Sequence, residues 1–286
     1  MHTVEIAGRI NVLEFPSSLD ELSPENFIAF VNAYIKFSAR EISYRDFKIM
    51  MLFHFIDIDT RNWVRDKLTE VQKDLITENV HRLSELINFF FSADKTNGEI
   101  NLAIDFSSWT KNLLPEYKGY HGPVGLFSDL IGIEYKEAQV ESSLFMQDLD
   151  TRHLDVLCAV LYRKPLLPFM QKPKFDAIKV AAISKKTCKW PLVVKYGVFL
   201  NFMALQYHLK CSAFTVDGKE ISFAPLFSEE NSGSDDNLGM TALFFTLAES
   251  RVFGNVAETS SQNIFDILYR LYQIHTSYNK NKKTDG

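Results

Sequence analysis

The stretch Asp148–Pro165, DLDTRHLDVLCAVLYRKP, constrains the fold more than any other part of this chain, because both ends of a helix are written into it. Asp150 or Thr151 can cap the first amides, Arg163 and Lys164 suit the negative end of the dipole, and Pro165 disfavours helix at the residue before it. Leu154, Leu157, Cys158 and Leu161 recur at helical spacing, and Val156, Ala159, Val160 and Tyr162 spread the apolar surface over most of the circumference. A helix of this kind is covered by neighbours on nearly every side, so it is expected to be the central packing element. It offers no chemistry of its own.

Around it the patterns predict a mainly α fold, a multi-helix globular bundle with a small N-terminal β-element and a β-hairpin near residues 213–223. Residues 3–12 alternate as a strand with one wet face, bent at Gly8. Ser23-Pro24 and Ser43 each cap a helix, and the two pair as antiparallel neighbours. A long helix is expected from about Leu68 to Phe91, with a break near Thr77 as the alternative. Phe89, Phe90 and Phe91 cannot all face one side, so either two elements pack there or one ring is exposed. Ala93–Glu99 reads as a loop, and Ile100–Phe106 as a short strand that pairs with the N-terminal one. Helices are expected over 126–131, 135–145, 175–184, 190–209, 238–250 and 261–277. Asp217-Gly218 between Phe214–Val216 and Glu220–Phe223 is a two-residue hairpin turn, and residues 228–237 form an acidic loop. Residues 1–286 are taken as a single mainly helical domain, with a subdivision near 165–174 into an N-terminal part, 1–166, and a C-terminal part, 174–286.

Composition enters as a set of exclusions. The chain has 286 residues with 46% hydrophobic content, enough for a sizeable core. Its 24 Phe and 11 Tyr exceed ordinary needs, which points to a large helical core or to an assembly interface. A net charge of -5 gives no global attraction to nucleic acid or anionic lipid. The basic patch that stands out is Lys280, Lys282 and Lys283 in the polar tail, which reads as a solvated end. No signal-like segment begins the chain and no run approaches the ~20 apolar residues of a membrane span, so a cytoplasmic location is expected. Cys158, Cys188 and Cys211 form no disulfide framework and read as reduced thiols.

Motifs that carry chemistry are weak throughout. None of the seven histidines makes an HExxH or paired HxxxH helix, and His208 with Cys211 and Cys188 falls short of a four-ligand zinc set. Gly119, Gly122 and Gly125 lack the lysine and hydroxyl of a phosphate-binding loop. No GxSxG elbow occurs, and Cys158 on the most buried helix is a poor nucleophile. Asp150, His153 and Asp155 read as caps and a solvated strip; Asp20-Glu21 and Asp235-Asp236 read as exposed caps and loops. No catalytic, cofactor-binding or metal-binding residue is assigned, and no cofactor is expected.

Three stretches carry a resemblance: FPSSLDELSPENFIAF at 15–30, DLDTRHLDVLCAVLYRKP at 148–165, and LFFTLAESRVFGNVAET at 243–259. Together they resemble a group of tailed-phage and prophage proteins encoded among tail and virion-assembly genes, often described as tail assembly chaperone-like. Leu19 stands where that group often has Trp. The resemblance implies a non-enzymatic virion structural or tail-assembly protein in the host cytoplasm or incorporated into the virion. Its partners would be phage structural or assembly proteins, or further copies of itself, with no direct nucleic acid and no membrane. The rival readings are an enzyme with a site assembled from unflagged residues, and a regulatory or defence binding module. A deep pocket with converging His, Cys or carboxylates would favour the enzyme, and an exposed aromatic patch would favour assembly.

Overall fold

The computed structural model describes residues 1–5, 12–56, 69–96, 99–125, 127–167, 172–216, 218–227 and 239–284. Within these the chain is mainly helical, with small two-stranded antiparallel sheets. It divides into two compact units, Met1–Trp109 and Thr110–Gly286. The segment 165–174, where a subdivision was expected, lies inside the second unit.

The first unit opens with β1 (His2–Glu5) and β2 (Val12–Phe15), which pair antiparallel with His2 opposite Phe15 and Glu5 opposite Val12. The single strand expected over 3–12 is therefore two strands folded back on one another, which gives each the ladder partner that a lone strand lacks. Residues 6–11, including Gly8, lie outside the described residues. The helix α1 (Pro24–Ser38) starts as the sequence predicts, with Ser23 Oγ accepting from the Asn26 amide at 3.2 Å and Pro24 in the first turn. Next, α2 (Tyr44–Phe55) is fixed by a capping box in which Ser43 and Asp46 exchange bonds of 3.2 and 3.1 Å.

The third helix, α3 (Glu70–Ser84), has a matching box between Thr69 and Gln72. It runs unbroken through Thr77, whose hydroxyl donates to the Lys73 carbonyl at 2.8 Å. It ends well short of Phe91. The chain then forms β3 (Phe91–Thr96) and β4 (Glu99–Ile104), paired from Phe91–Ile104 to Thr96–Glu99. This corrects two expectations: residues 93–96 are strand, and β4 pairs with β3, not with the N-terminal strands. Asp94 and Lys95 have low strand propensity, so the β3 signal is hidden in the sequence. Phe90 and Phe91 are both buried because two helices receive them. Phe90 stacks on Phe30 of α1 at 4.7 Å, and Phe91 meets Phe47 of α2 at 5.1 Å. Phe27, Phe30, Phe47, Phe90 and Trp109 form a fully buried aromatic core.

The second unit begins with a small hairpin, β5 (Glu116–Tyr117) and β6 (Tyr120–His121). Its two turn residues, Lys118 and Gly119, have φ of 49° and 74°, the left-handed geometry that tight hairpins require. The 126–131 stretch is turn-like over its described residues. Then α4 (Gly132–Asp148) leads into α5 (Thr151–Leu161), the helix expected to be central. Leu154, Leu157, Cys158, Ala159, Val160 and Leu161 are all at most 1% exposed. It packs against α4, α6 (Ala177–Thr187) and α7 (Leu192–Cys211). The hairpin of β7 (Ala213–Val216) and β8 (Lys219–Ser222) forms as predicted, with Asp217 outside the described residues. Three helices close the unit: α8 (Gly239–Glu249), α9 (Val256–Ser260) and α10 (Ile264–Thr284). The acidic loop 228–237 lies outside the described residues. Among the described residues no helix is long and apolar enough to cross a membrane.

Candidate functional site

The C-terminal end of α5 organises a concavity of about 340 Å³ within the second unit. Five cations face it, Arg163, Lys164, Lys174, Lys179 and Lys186, against one carboxylate, Asp176. Tyr120, Leu166, Pro173 and Ile183 supply apolar wall. Local sequence explains the arrangement. Asp176, Lys179, Ile183 and Lys186 recur at i, i+3, i+7 and i+10, which puts them on one face of α6. Asp176 is also the N-cap of that helix, accepting from the Ile178 amide at 3.1 Å. The helix α5 ends at Leu161, ahead of the Arg163–Pro165 stop expected from the sequence, with Tyr162 already extended, and an antiparallel bridge between His121 and Arg163, with N to O distances of 3.0 and 3.1 Å, brings β6 alongside.

Arg163 is the floor and is fully committed. It is 5% exposed, pairs through Nη2 with Glu134, and donates from Nη1 to the Val160 carbonyl at 2.6 Å and from Nε to the Pro173 carbonyl at 2.8 Å. The Val160 bond is the helix-end role expected of it. Its guanidinium also lies 5.7 Å from the Phe175 ring. Tyr120 is held by Trp190 in an edge contact at 5.4 Å; Trp190 also meets Tyr117 at 5.0 Å and Tyr162 at 5.8 Å. Lys179 pairs with Asp176 at 3.1 Å, both partly exposed.

A second concavity, of about 420 Å³, lies in the first unit between α2 and α3, lined by Tyr44, Arg45, Lys48, His81 and Glu85. Its charges answer one another. Lys48 Nζ meets Glu85 at 2.6 Å and lies 5.2 Å from the Tyr44 ring, while Arg45 contacts the His81 ring nitrogen. The Lys48 hydrogen bond holds the Glu85 carboxyl below its ordinary range, and burial pushes the Tyr44 phenol up.

Residues singled out in the sequence take other roles. Asp150 caps α5, accepting from the Arg152 amide at 2.9 Å, and His153 Nδ1 lies 2.8 Å from Glu141. Asp155 is not on a solvated strip: it forms a 2.7 Å ion pair with Lys195 of α7, both side chains mostly buried, and its carbonyl accepts from the Thr187 hydroxyl at 2.7 Å. Cys158 is fully buried, and desolvation pushes its thiol well above the ordinary range, which disfavours the thiolate. Cys188 and Cys211 are exposed, while His208 is buried with Nδ1 2.7 Å from Ser212 Oγ. No group of three or more His, Cys, Asp or Glu among the described residues is arranged to hold a metal ion. Gly122 serves packing: a Cβ there would sit 2.5 Å from the Tyr162 ring, whose hydroxyl donates to the Leu114 carbonyl at 2.5 Å.

The aromatic surplus lies mostly inside, and the large exposed apolar side chains are chiefly aliphatic. Val71 and Leu75, one turn apart on α3, are 77% and 57% exposed. Ser84 is the one residue of α3 that is fully buried. Sequence reading missed both this face and the α6 lysines, although the lysine spacing was there to be read. The basic tail it picked out, Lys280, Lys282 and Lys283, falls at the end of α10, where side-chain placement lies outside the described residues. Comparison with protein-family models, with curated proteins and with solved structures finds no match for this chain.

Proposed function

We propose that the protein is a non-enzymatic, phage-like virion structural or tail-assembly component that acts in the host cytoplasm through contacts with another protein of the particle. The observation that carries this reading is the uncovered apolar face at the start of α3. A helix of 15 residues is marginal on its own, and most helical stability comes from covering an apolar face. Here the N-terminal turns keep a capping box yet leave Val71 and Leu75 in water. Burying both side chains against a partner is worth about 2–4 kcal/mol by area transfer. The three-stretch resemblance supplies the setting, a structural or assembly protein from the same gene neighbourhood. The working surface in this reading is aliphatic instead of aromatic.

Affinity purification of the full chain from a lysate of its own phage or prophage host tests it. The expected result is co-purification of a virion or tail protein, lost in Val71→Ser/Leu75→Ser while the circular dichroism spectrum is unchanged. Retention of the same partner by that double variant, or turnover of a small molecule by the purified chain, would overturn the reading.

A further inference from the structure

We propose that the concavity between the end of α5 and α6 is a binding site for a compact organic polyphosphate, such as a nucleoside triphosphate. This goes beyond the assembly reading and rests on a different unit of the chain. The argument starts from charge. Of the five cations at the concavity, Arg163 is answered by Glu134 and Lys179 by Asp176. The side chains of Lys164, Lys174 and Lys186 make no hydrogen bond or ion pair among the described residues. Three lysines without a side-chain partner thus line one hollow in a chain whose net charge is -5. Like charges gathered this way repel, and a multivalent anion of matching charge removes the repulsion.

Size and chemistry narrow the anion. A volume of about 340 Å³ is that of a small-molecule pocket. A nucleic-acid track needs more phosphate contacts, strung along a surface, and the rest of this acidic chain would oppose it. Lysines are point charges that serve phosphate oxygens without the planar match that arginine offers to carboxylates. The walls add a second specification. Leu166, Pro173, Ile183 and the Trp190-braced ring of Tyr120 give apolar and aromatic surface beside the ammonium groups, which a bare inorganic anion would leave unused. The site is also built: Arg163 ties the α5 terminus to the Pro173 carbonyl, so the segment carrying Lys174 is fixed against the segment carrying Lys164.

Calorimetric titration of the full chain with ATP, sodium tripolyphosphate, citrate and a single-stranded oligodeoxythymidylate, without added metal, tests this. Expected are saturable one-to-one binding of ATP, binding of tripolyphosphate at least about threefold weaker, and much weaker binding of citrate. Lys164→Ala/Lys186→Ala is expected to weaken ATP at least about tenfold, and Lys164→Arg/Lys186→Arg to restore it, with the unfolding midpoint unchanged in both. Lys73→Ala, in the first unit, should change nothing. No heat or competition at about 1 mM ATP would overturn the proposal. So would citrate binding as tightly as tripolyphosphate, or an oligonucleotide binding more tightly than ATP.

Discussion

Glu134 and Arg163 sit 29 positions apart and are 1% and 5% exposed. One Glu134 oxygen meets the guanidinium, and the other accepts the Ile131 amide at 3.2 Å, so the same carboxylate caps α4 and neutralises the floor of the concavity. Removing one member of such a pair strands the other charge out of water. Glu134→Gln is therefore expected to cost about 3–5 kcal/mol in urea unfolding, and adding Arg163→Met should recover a large part of that loss. The sequence made Arg163 legible as a helix-end cation, but nothing in it pointed to Glu134, because that partnership exists only once α4 and α5 are packed. His153 gives a pH test at the same scale. Its hydrogen bond to Glu141, with the charges of Glu141 and Asp148, raises its pKa above the ordinary 6.5. A raised histidine contributes stability fully below the unfolded value and loses it as pH rises through the folded value. The difference in urea midpoint between wild type and His153→Gln should therefore be larger at about pH 6 than at about pH 8. An equal difference at both would show that the two carboxylates do not hold the ring.

The element that the sequence declared most clearly, α5, is also the one whose neighbours surround it. Leu157→Ala or Leu161→Ala is expected to destabilise by about 2–5 kcal/mol, read from denaturant midpoints. Just before it, Leu149 terminates α4 with φ of 59° and is 70% exposed. That left-handed conformation costs a β-carbon about 1–2 kcal/mol, part of which glycine gives back through its freer unfolded chain. Leu149→Gly should thus raise stability by up to about 1 kcal/mol. Helices whose caps are local, such as those begun by Ser23, Ser43 and Asp150, were legible because the capping atoms lie within three residues of the start. The strand β3 was not, since Asp94 and Lys95 acquire strand geometry only by pairing with β4. The α6 lysine face lay between these cases. Its spacing is written in the chain, whereas the concavity it borders depends on the His121–Arg163 bridge, which joins distant segments.

Across the whole chain, the aromatic surplus explains how 286 residues support two separate cores. In the first unit, rings pack on rings: Phe30 alone meets Phe27, Phe47, Phe90 and Trp109 within 6.4 Å. In the second, the buried residues include the aliphatic side chains of α5 together with aromatics such as Tyr135, Phe202 and Tyr162. A core of rings depends on shape as much as on area, so Phe30→Ala should remove about 3–5 kcal/mol from the first unit. The unit boundary falls between Trp109, buried against Phe27 and Phe30 in the first unit, and Leu113 and Leu114, buried in the second. The fragment 110–286 is therefore expected to fold by itself, with a helical far-ultraviolet spectrum and a cooperative urea transition that Phe30→Ala in the full chain leaves unmoved. The concavity belongs wholly to that fragment, so the fragment should also bind ATP as the full chain does. A fragment that is unfolded, or that melts without cooperativity, would show that the second core needs the first.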